Sequence, residues 1–246
     1  MISSFIKERT KIGEGMVAKV YSWNGFAYKC FNDGYPKEWI DYEYNQQKEV
    51  CKSGLPIPHY YESEFQGTIK MDLICGCSMF EKIKSLGKDV VMDDFITWFK
   101  KIHEIKHLKL HHVTKYLGKQ IDSASISEEE KIYTKQCLLE VEKEDVEDEG
   151  LCHMDYHTLN VMYENDNIRI IDWVNAKNGK PIWDYARTYV IFYEYAAGLK
   201  RNYMKRVLAL EGYSEELFMK AVLVSAICRL TEHDTKRVRQ LIKLLS

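Results

Sequence analysis

The first third of the chain alternates apolar and polar positions, the period of a half-buried strand. Residues 11–23 and 26–31 are rich in β-branched and aromatic side chains. Asn24-Gly25 lies between them, and a two-residue hairpin needs positive φ at both central positions, which these residues tolerate best. Such a turn makes Trp23 face Phe26 and Val20 face Lys29. Alternation then puts Ala18, Val20, Ala27 and Lys29 on one face of the sheet. Residues 34–36 predict a turn and 37–52 a helix that stops at Ser53-Gly54. Leu55-Pro56-Ile57-Pro58 must be extended, because residues before proline avoid helical backbone. Residues 68–74 predict a strand closed by Gly76.

Past Gly76 the period lengthens to that of a helix. Phe95, Trp98, Phe99 and Ile102 recur at i, i+3, i+4 and i+7, with Asp93-Asp94 as the predicted cap. Ser127 and Glu130 have the spacing of a capping box. The acidic run at 140–149 reads as a solvated surface segment, and 184–197, 215–228 and 235–245 as further helices. His103, His107 and His111 lie four apart and would line one helix face. No carboxylate or cysteine pattern accompanies them, so they read as solvated or packing histidines rather than a metal site. Tyr185, Tyr189, Phe192 and Tyr193, with Trp173 and Trp183, are spaced as ordinary core, with a cation-binding aromatic pocket as the alternative. The change of period near residues 72–76 predicts an α+β chain with an N-terminal lobe at 1–75 and a helical lobe at 76–246.

Composition narrows the function classes. The chain has 246 residues, 46% apolar, and a formal net charge of −2, an ordinary globular balance that gives no electrostatic case for nucleic acid or an anionic membrane. The longest apolar stretch, near 221–228, is too short to span a bilayer. Residues 1–10 lack the apolar core of a signal peptide. Seven scattered cysteines fit a reducing cytoplasm. The sequence leaves the oligomeric state open.

The chemistry is concentrated after residue 150. His153, Asp155 and Asn160 form H-x-D-x-x-x-x-N, and Asp172 follows twelve residues later behind the apolar Ile170-Ile171. This is the arrangement phosphoryl transfer uses, with one carboxylate to receive the proton of an attacking hydroxyl, and an amide and a second carboxylate to hold magnesium. Upstream, Gly13 and Gly15 with Ala18 make G-x-G-x-x-A, where bare backbone can approach phosphate oxygens. The face bearing Ala18, Val20, Ala27 and Lys29 offers a flat apolar platform beside one ammonium. The helix at 37–52 carries Glu38, Glu43 and Glu49. Glu43, eleven residues before Gly54, is the preferred partner for Lys29.

Taken together, these pieces resemble the aminoglycoside phosphotransferase/choline kinase family. The matching segments are Ile12 to Tyr21 (I-G-E-G-M-V-A-K-V-Y), Ala27-Tyr28-Lys29, Glu43 with Gly54 to Pro58, Met71 to Gly76, His153 to Asn160, Ile170 to Trp173 and Gly179 to Ala186. They occur in family order. His157 after Asp155, Trp173 in place of Phe-Gly, and the lack of an A-P-E segment separate the chain from protein kinases. Met154 stands where the family often has glycine.

The resemblance implies a two-lobed protein-kinase-like fold with ATP and Mg2+ as cofactors and a small-molecule hydroxyl as phosphate acceptor. It makes Asp155 the catalytic base, Asn160 and Asp172 the metal ligands, and Lys29 the phosphate contact oriented by Glu43. Asp72 to Ile74 becomes the hinge that pairs with adenine, and Asp184 the brace of the catalytic loop. The acceptor stays open among aminoglycoside-like, amino-alcohol and sugar compounds. A regulatory nucleotide-binding module and an atypical protein kinase remain as alternatives.

Overall fold

A computed structural model describes residues 2–144, 149–165 and 167–245. The elements in chain order are α1 (Ile2–Glu8), β1 (Thr10–Glu14), β2 (Ala18–Trp23), β3 (Phe26–Phe31), α2 (Lys37–Val50), β4 (Tyr60–Tyr61), β5 (Thr68–Asp72), β6 (Cys77–Ser78), α3 (Met79–Leu86) and α4 (Lys88–His103). There follow α5 (Val113–Ser123), α6 (Glu128–Lys143), β7 (Gly150–Cys152), β8 (Val161–Glu164), β9 (Asn167–Ile170), β10 (Lys177–Gly179), α7 (Pro181–Tyr195), α8 (Ala197–Glu211), α9 (Glu215–Glu232) and α10 (Lys236–Leu245). Two compact units result. One runs to Glu81 and takes in Leu159–Val174; the other comprises Lys82–Thr158 and the chain from Asn175 onward.

The first unit is built on an antiparallel sheet of order β1-β2-β3-β5-β4. Asn24 and Gly25 have φ of 46° and 77°, so the hairpin is the tight two-residue form. Trp23 pairs with Phe26 and Val20 with Lys29, while Lys29 pairs with Ile69 on β5. One face therefore carries Ala18, Val20, Ala27, Lys29 and Ile69. The other carries Tyr28, which packs with Phe5 and Phe65; the Phe5 and Phe65 rings stack at 4.3 Å between centroids. Phe5 is the only buried residue of α1, and one anchor in seven residues leaves no period to read in the sequence.

Helix α2 buries Glu43, Gln46, Gln47 and Val50. The i, i+3, i+4, i+7 stripe is there, but it is mostly polar. Burial of such groups is tolerated only when they are hydrogen-bonded. Gln47 Nε2 donates to the Pro58 carbonyl at 2.6 Å, and Glu43 is paired as described below. The helix passes into a short 3-10 turn, and Gly54 follows at φ 72°. Gly76 is required on steric grounds, since a Cβ there would lie 1.8 Å from the Tyr163 carbonyl oxygen.

The second unit is helical, with β7 and β10 paired antiparallel. Helix α4 begins at Lys88, ahead of the expected Asp93-Asp94 cap. Val91 and Met92, each 1% exposed, extend the apolar stripe one turn earlier, and Asp93 instead pairs with Arg206. The helix ends at His103, and His107 has a φ of 68°, so the three spaced histidines do not share a helix face. The capping box of α6 is complete: Glu130 N–H donates to Ser127 Oγ at 3.2 Å, and Ser127 N–H donates to Glu130 Oε2 at 2.7 Å.

Part of the acidic run, 145–148, lies outside the described residues. Within α6, Glu142 is structural rather than merely solvated, accepting from Thr114 Oγ1 at 2.8 Å and Trp183 Nε1 at 2.5 Å. Trp183, Tyr185 and Phe192 are core, as is Trp173 in the first unit. The sequence left α8 unread; its few buried residues, Leu199, Tyr203 and Val207, give a weak stripe. Among the described residues, no helix is long and apolar enough to cross a membrane.

Candidate active site

In the first unit the structure brings together Lys29, Glu43 and Asp172. Lys29 Nζ donates to Glu43 Oε1 at 2.6 Å and lies 3.8 Å from Asp172 Oδ1. Of the three candidate glutamates on α2, only Glu43 is buried; Glu38 is exposed and Glu49 pairs with Lys52. Tyr60 Oη also donates to Glu43, at 3.3 Å. Burial works against the Lys29 ammonium, but the carboxylates of Asp172 and Glu43 outweigh it and raise its pKa. The cation is thereby held charged in a site that excludes most water.

Asn160 and Asp172 meet because β8 and β9 form a hairpin. Val161 pairs with Ile170, and the Ile171 amide donates to the Asn160 carbonyl at 3.0 Å. The residues flanking the hairpin base therefore sit at the same end. Asp172 has a φ of 64°, and the Trp173 indole, fully buried, donates to the Ile170 carbonyl at 3.0 Å. Asp172 Oδ1 is buried without a hydrogen-bond partner. A buried carboxylate oxygen left open in this way, on a hairpin end shared with Asn160, matches the oxygen donors that a hard divalent cation takes.

The glycine turn joins β1 to β2. Gly13 pairs with Val20, and the Gly15 amide donates to the Ala18 carbonyl at 2.9 Å. Neither glycine has a positive φ, and a Cβ on either would come no closer than 3.6 Å to a neighbour. The fold itself thus does not require glycine here. At the end of β5, the Asp72 amide donates to the His59 carbonyl at 3.1 Å. Its carboxylate accepts from the His59 amide at 2.9 Å and Tyr61 Oη at 2.8 Å. Burial raises this carboxyl, but those hydrogen bonds outweigh it and hold it below its ordinary value. The Asp72 side chain is therefore a latch between β5 and the segment before β4, and Ile74 lies past the strand end, half-buried.

In the second unit Asp155 lies on a loop held by α7. Asp184, fully buried, accepts from the His153 amide at 2.5 Å and the Met154 amide at 2.8 Å. His103 Nε2 lies 3.2 Å from the same carboxylate, which gives the end of α4 a structural purpose. One turn on, Thr188 Oγ1 donates to the Tyr156 carbonyl at 2.7 Å, and Tyr156 Oη donates to the Phe95 carbonyl at 3.2 Å. Met154 is in the left-handed region at φ 62°, where a side chain is disfavoured. His157 Nε2 lies 3.7 Å from Asp155 Oδ2. Burial would raise the Asp155 carboxyl, yet His157, Arg187 and His153 together outweigh it and hold it below its ordinary value. Arg187 and Thr188 escaped the sequence reading, although i+3 and i+4 from Asp184 on a helix is a readable spacing.

Residues 102–217 match the phosphotransferase enzyme family. Among solved structures, the aminoglycoside phosphotransferase APH(4)-Ia superposes with a TM-score of 0.67 at 15% identity, over 99% of this chain and 94% of that one. A choline/ethanolamine kinase family protein from Mesorhizobium loti gives 0.63 at 14% identity, over 100% and 87%. The aminoglycoside phosphotransferase APH(2")-IIa gives 0.63 at 16% identity, over 99% and 93%. No curated protein sequence matches the chain. The fold is the kinase-like α+β fold of these enzymes. With the matched family segment, it indicates a kinase-type phosphotransferase.

Proposed function

We propose that the protein transfers the γ-phosphoryl group of ATP to a hydroxyl of a small molecule. The observation that carries this reading is Lys29, a buried ammonium 2.6 Å from Glu43 and 3.8 Å from the otherwise open Asp172 Oδ1. Similar structures were solved with ADP and hygromycin B and with ATP and streptomycin, which supports a nucleotide donor and a hydroxyl-bearing acceptor.

In this reading Lys29 binds the α- and β-phosphates and Glu43 fixes its direction. The glycine turn at Gly13 and Gly15 covers the phosphates, which explains glycines that the fold does not itself demand. Ala18, Val20 and Ala27 form the platform under the base, and the backbone from Asp72 to Ile74 pairs with its edge. The amide of Asp72 is already engaged, so the pairing uses other backbone groups of that segment. Asn160 and Asp172 would hold Mg2+, which when bound neutralises phosphate charge. Asp155 orients the acceptor hydroxyl and takes its proton. Burial would favour the neutral acid, and the neighbouring positive groups keep the carboxyl ionised at the expense of basicity, so its first task is to orient the hydroxyl as the proton leaves. Protein groups supply position and charge here rather than covalent chemistry.

The acceptor belongs to the aminoglycoside-like, amino-alcohol or sugar compounds. Trp173, Trp183 and Tyr185 are fully buried, which removes them from any aromatic cage for a quaternary amine. The test is ADP release in the presence of magnesium across aminoglycosides, choline, sugars and nucleosides, run beside Asp155→Asn. The variant should lose roughly 10²–10⁴-fold in turnover and keep its affinity for ATP. Near-normal turnover in that variant would remove Asp155 from the role.

A further inference from the structure

The face of α7 that holds the catalytic loop has three members, and two have been placed. Asp184 takes the amides before Asp155 and Thr188 takes the carbonyl after it. Arg187 lies between them on the same face, at i+3 from Asp184. It is 5% exposed. With Met154, which directly precedes Asp155, it lines a small cavity shared with Tyr116, Asn175, Ser225 and Glu232. Its guanidinium donates to Glu232 Oε2 on α9, and its Nε has no hydrogen-bond partner.

Glu232 is itself well tied. It accepts from Tyr116 Oη at 2.8 Å and from Arg229 Nη1 at 3.0 Å. Arg229 in turn donates to Glu194 at 3.1 Å. The chain of charges alternates in sign, Arg187, Glu232, Arg229 and Glu194. Glu232 thus shares its charge between two arginines, and Arg187 keeps part of its field for Asp155.

We propose that Arg187 is a positioning residue for phosphoryl transfer, held by Glu232 beneath the loop so that its charge orients the Asp155 carboxylate. The inference rests on the reading of Asp155 as the base. Three positively charged or titratable groups act on Asp155 electrostatically, His153, His157 and Arg187; Arg187 shares a cavity wall with Met154, the residue before Asp155. Arg187 alone among them has a permanent charge, is fixed by a carboxylate, and sits on the helix that clamps both sides of the loop. A buried, paired, always-charged group is the one that holds a carboxylate in one place through a reaction cycle.

A purely structural role makes a different forecast, and a double variant separates the two. Arg187→Met leaves Glu232 buried without its main partner and is expected to destabilise the protein. Arg187→Met with Glu232→Gln removes both charges and recovers thermal stability. In a positioning role, the double variant stays slow: kcat falls roughly 10–100-fold, the size expected for a misplaced catalytic group, while KM for ATP moves less than about twofold. Arg187→Lys, which keeps the charge, restores most of the lost kcat. If the double variant folds and turns over like the wild type, Arg187 is structural only and the proposal is overturned. Equal losses in Arg187→Lys and the double variant also overturn it. An active Asp155→Asn enzyme would instead remove the reading beneath it, so the two failures are distinguishable.

Discussion

Lys29 Nζ and Glu43 Oε1 are 2.6 Å apart, although one projects from β3, the middle strand of the sheet, and the other from the following helix. The pair is nearly closed to water, with side chains 16% and 6% exposed, so it escapes the screening that makes surface pairs worth so little. Lys29→Met and Glu43→Gln should each lower kcat/KM for ATP. Because either change disables the same unit, the double variant should lose less than the sum, with a coupling of about 1–3 kcal/mol. Additive losses in a double-mutant cycle would show that the two residues act separately on the nucleotide.

Asp172 Oδ1 and Asn160, gathered at the base of the β8–β9 hairpin, lead to a metal prediction. In the wild type, nucleotide binding measured by calorimetry should tighten as magnesium is added. Asp172→Ala should abolish that dependence and Asn160→Ala should weaken it, because a hard cation finds no replacement oxygen there. Unchanged magnesium dependence in Asp172→Ala would place the cation elsewhere.

Met154 gives an unusual forecast about stability. Its left-handed backbone, φ 62°, costs about 1–2 kcal/mol for a residue with a Cβ, yet its side chain is 4% exposed and its loss leaves a cavity. Removing a buried methionine side chain costs about 2–5 kcal/mol, so both Met154→Ala and Met154→Gly should be destabilised. Glycine ordinarily loses to alanine through the entropy of the unfolded chain, by about 0.4–1 kcal/mol. Here relief of the backbone should win, leaving Met154→Gly more stable than Met154→Ala by about 0.5–1 kcal/mol. Urea denaturation of the two variants decides it; the usual order, alanine above glycine, would mean that the loop rearranges.

Lys177 on β10 is a buried lysine with Tyr116 beneath it. Burial lowers its pKa from 10.5 to about 8, only partly opposed by Glu232, and its ammonium donates to the Asn175 carbonyl at 3.0 Å. Between pH 8 and 10 the unfolded chain still binds the proton that the folded protein has released. Stability relative to Lys177→Met should therefore rise with pH across that window, with a steepest slope of about 1.4 kcal/mol per pH unit. A flat difference between the two proteins would show that Lys177 keeps its charge when folded.

Much of this was readable from short-range pattern. Asn24-Gly25 sets the hairpin, and the hairpin sets the register that puts Ala18, Val20, Ala27 and Lys29 on one face. Ser127 and Glu130 mark the start of α6, and the spacing of His153, Asp155, Asn160 and Asp172 marks the residues proposed for the chemistry. These signals survive in sequence because each depends on residues a few positions apart, where φ, alternation and helical pitch leave few choices. Where the local signal was thin, the reading slipped. Asp93-Asp94 looked like a cap because the buried Val91 and Met92 were not counted, and the three spaced histidines looked helical because nothing local announces the positive φ of His107.

What the sequence determined by itself was the kinase-like α+β class, the N-terminal hairpin and the order of the chemical motifs. Tertiary structure decided which partner each polar group meets. Spacing before Gly54 favours Glu43, but only the packing of α2 against the sheet buries it against Lys29 while Glu38 stays exposed. Only the fold of the second unit brings Asp184 to the amides of His153 and Met154, 31 and 30 residues away, and Glu232 to Arg187, 45 away. Such pairings are fixed by burial. A charged or polar group removed from water must find a partner from whatever element lies beside it, and that neighbour is set by the packing of the whole unit rather than by the residues adjacent in the chain.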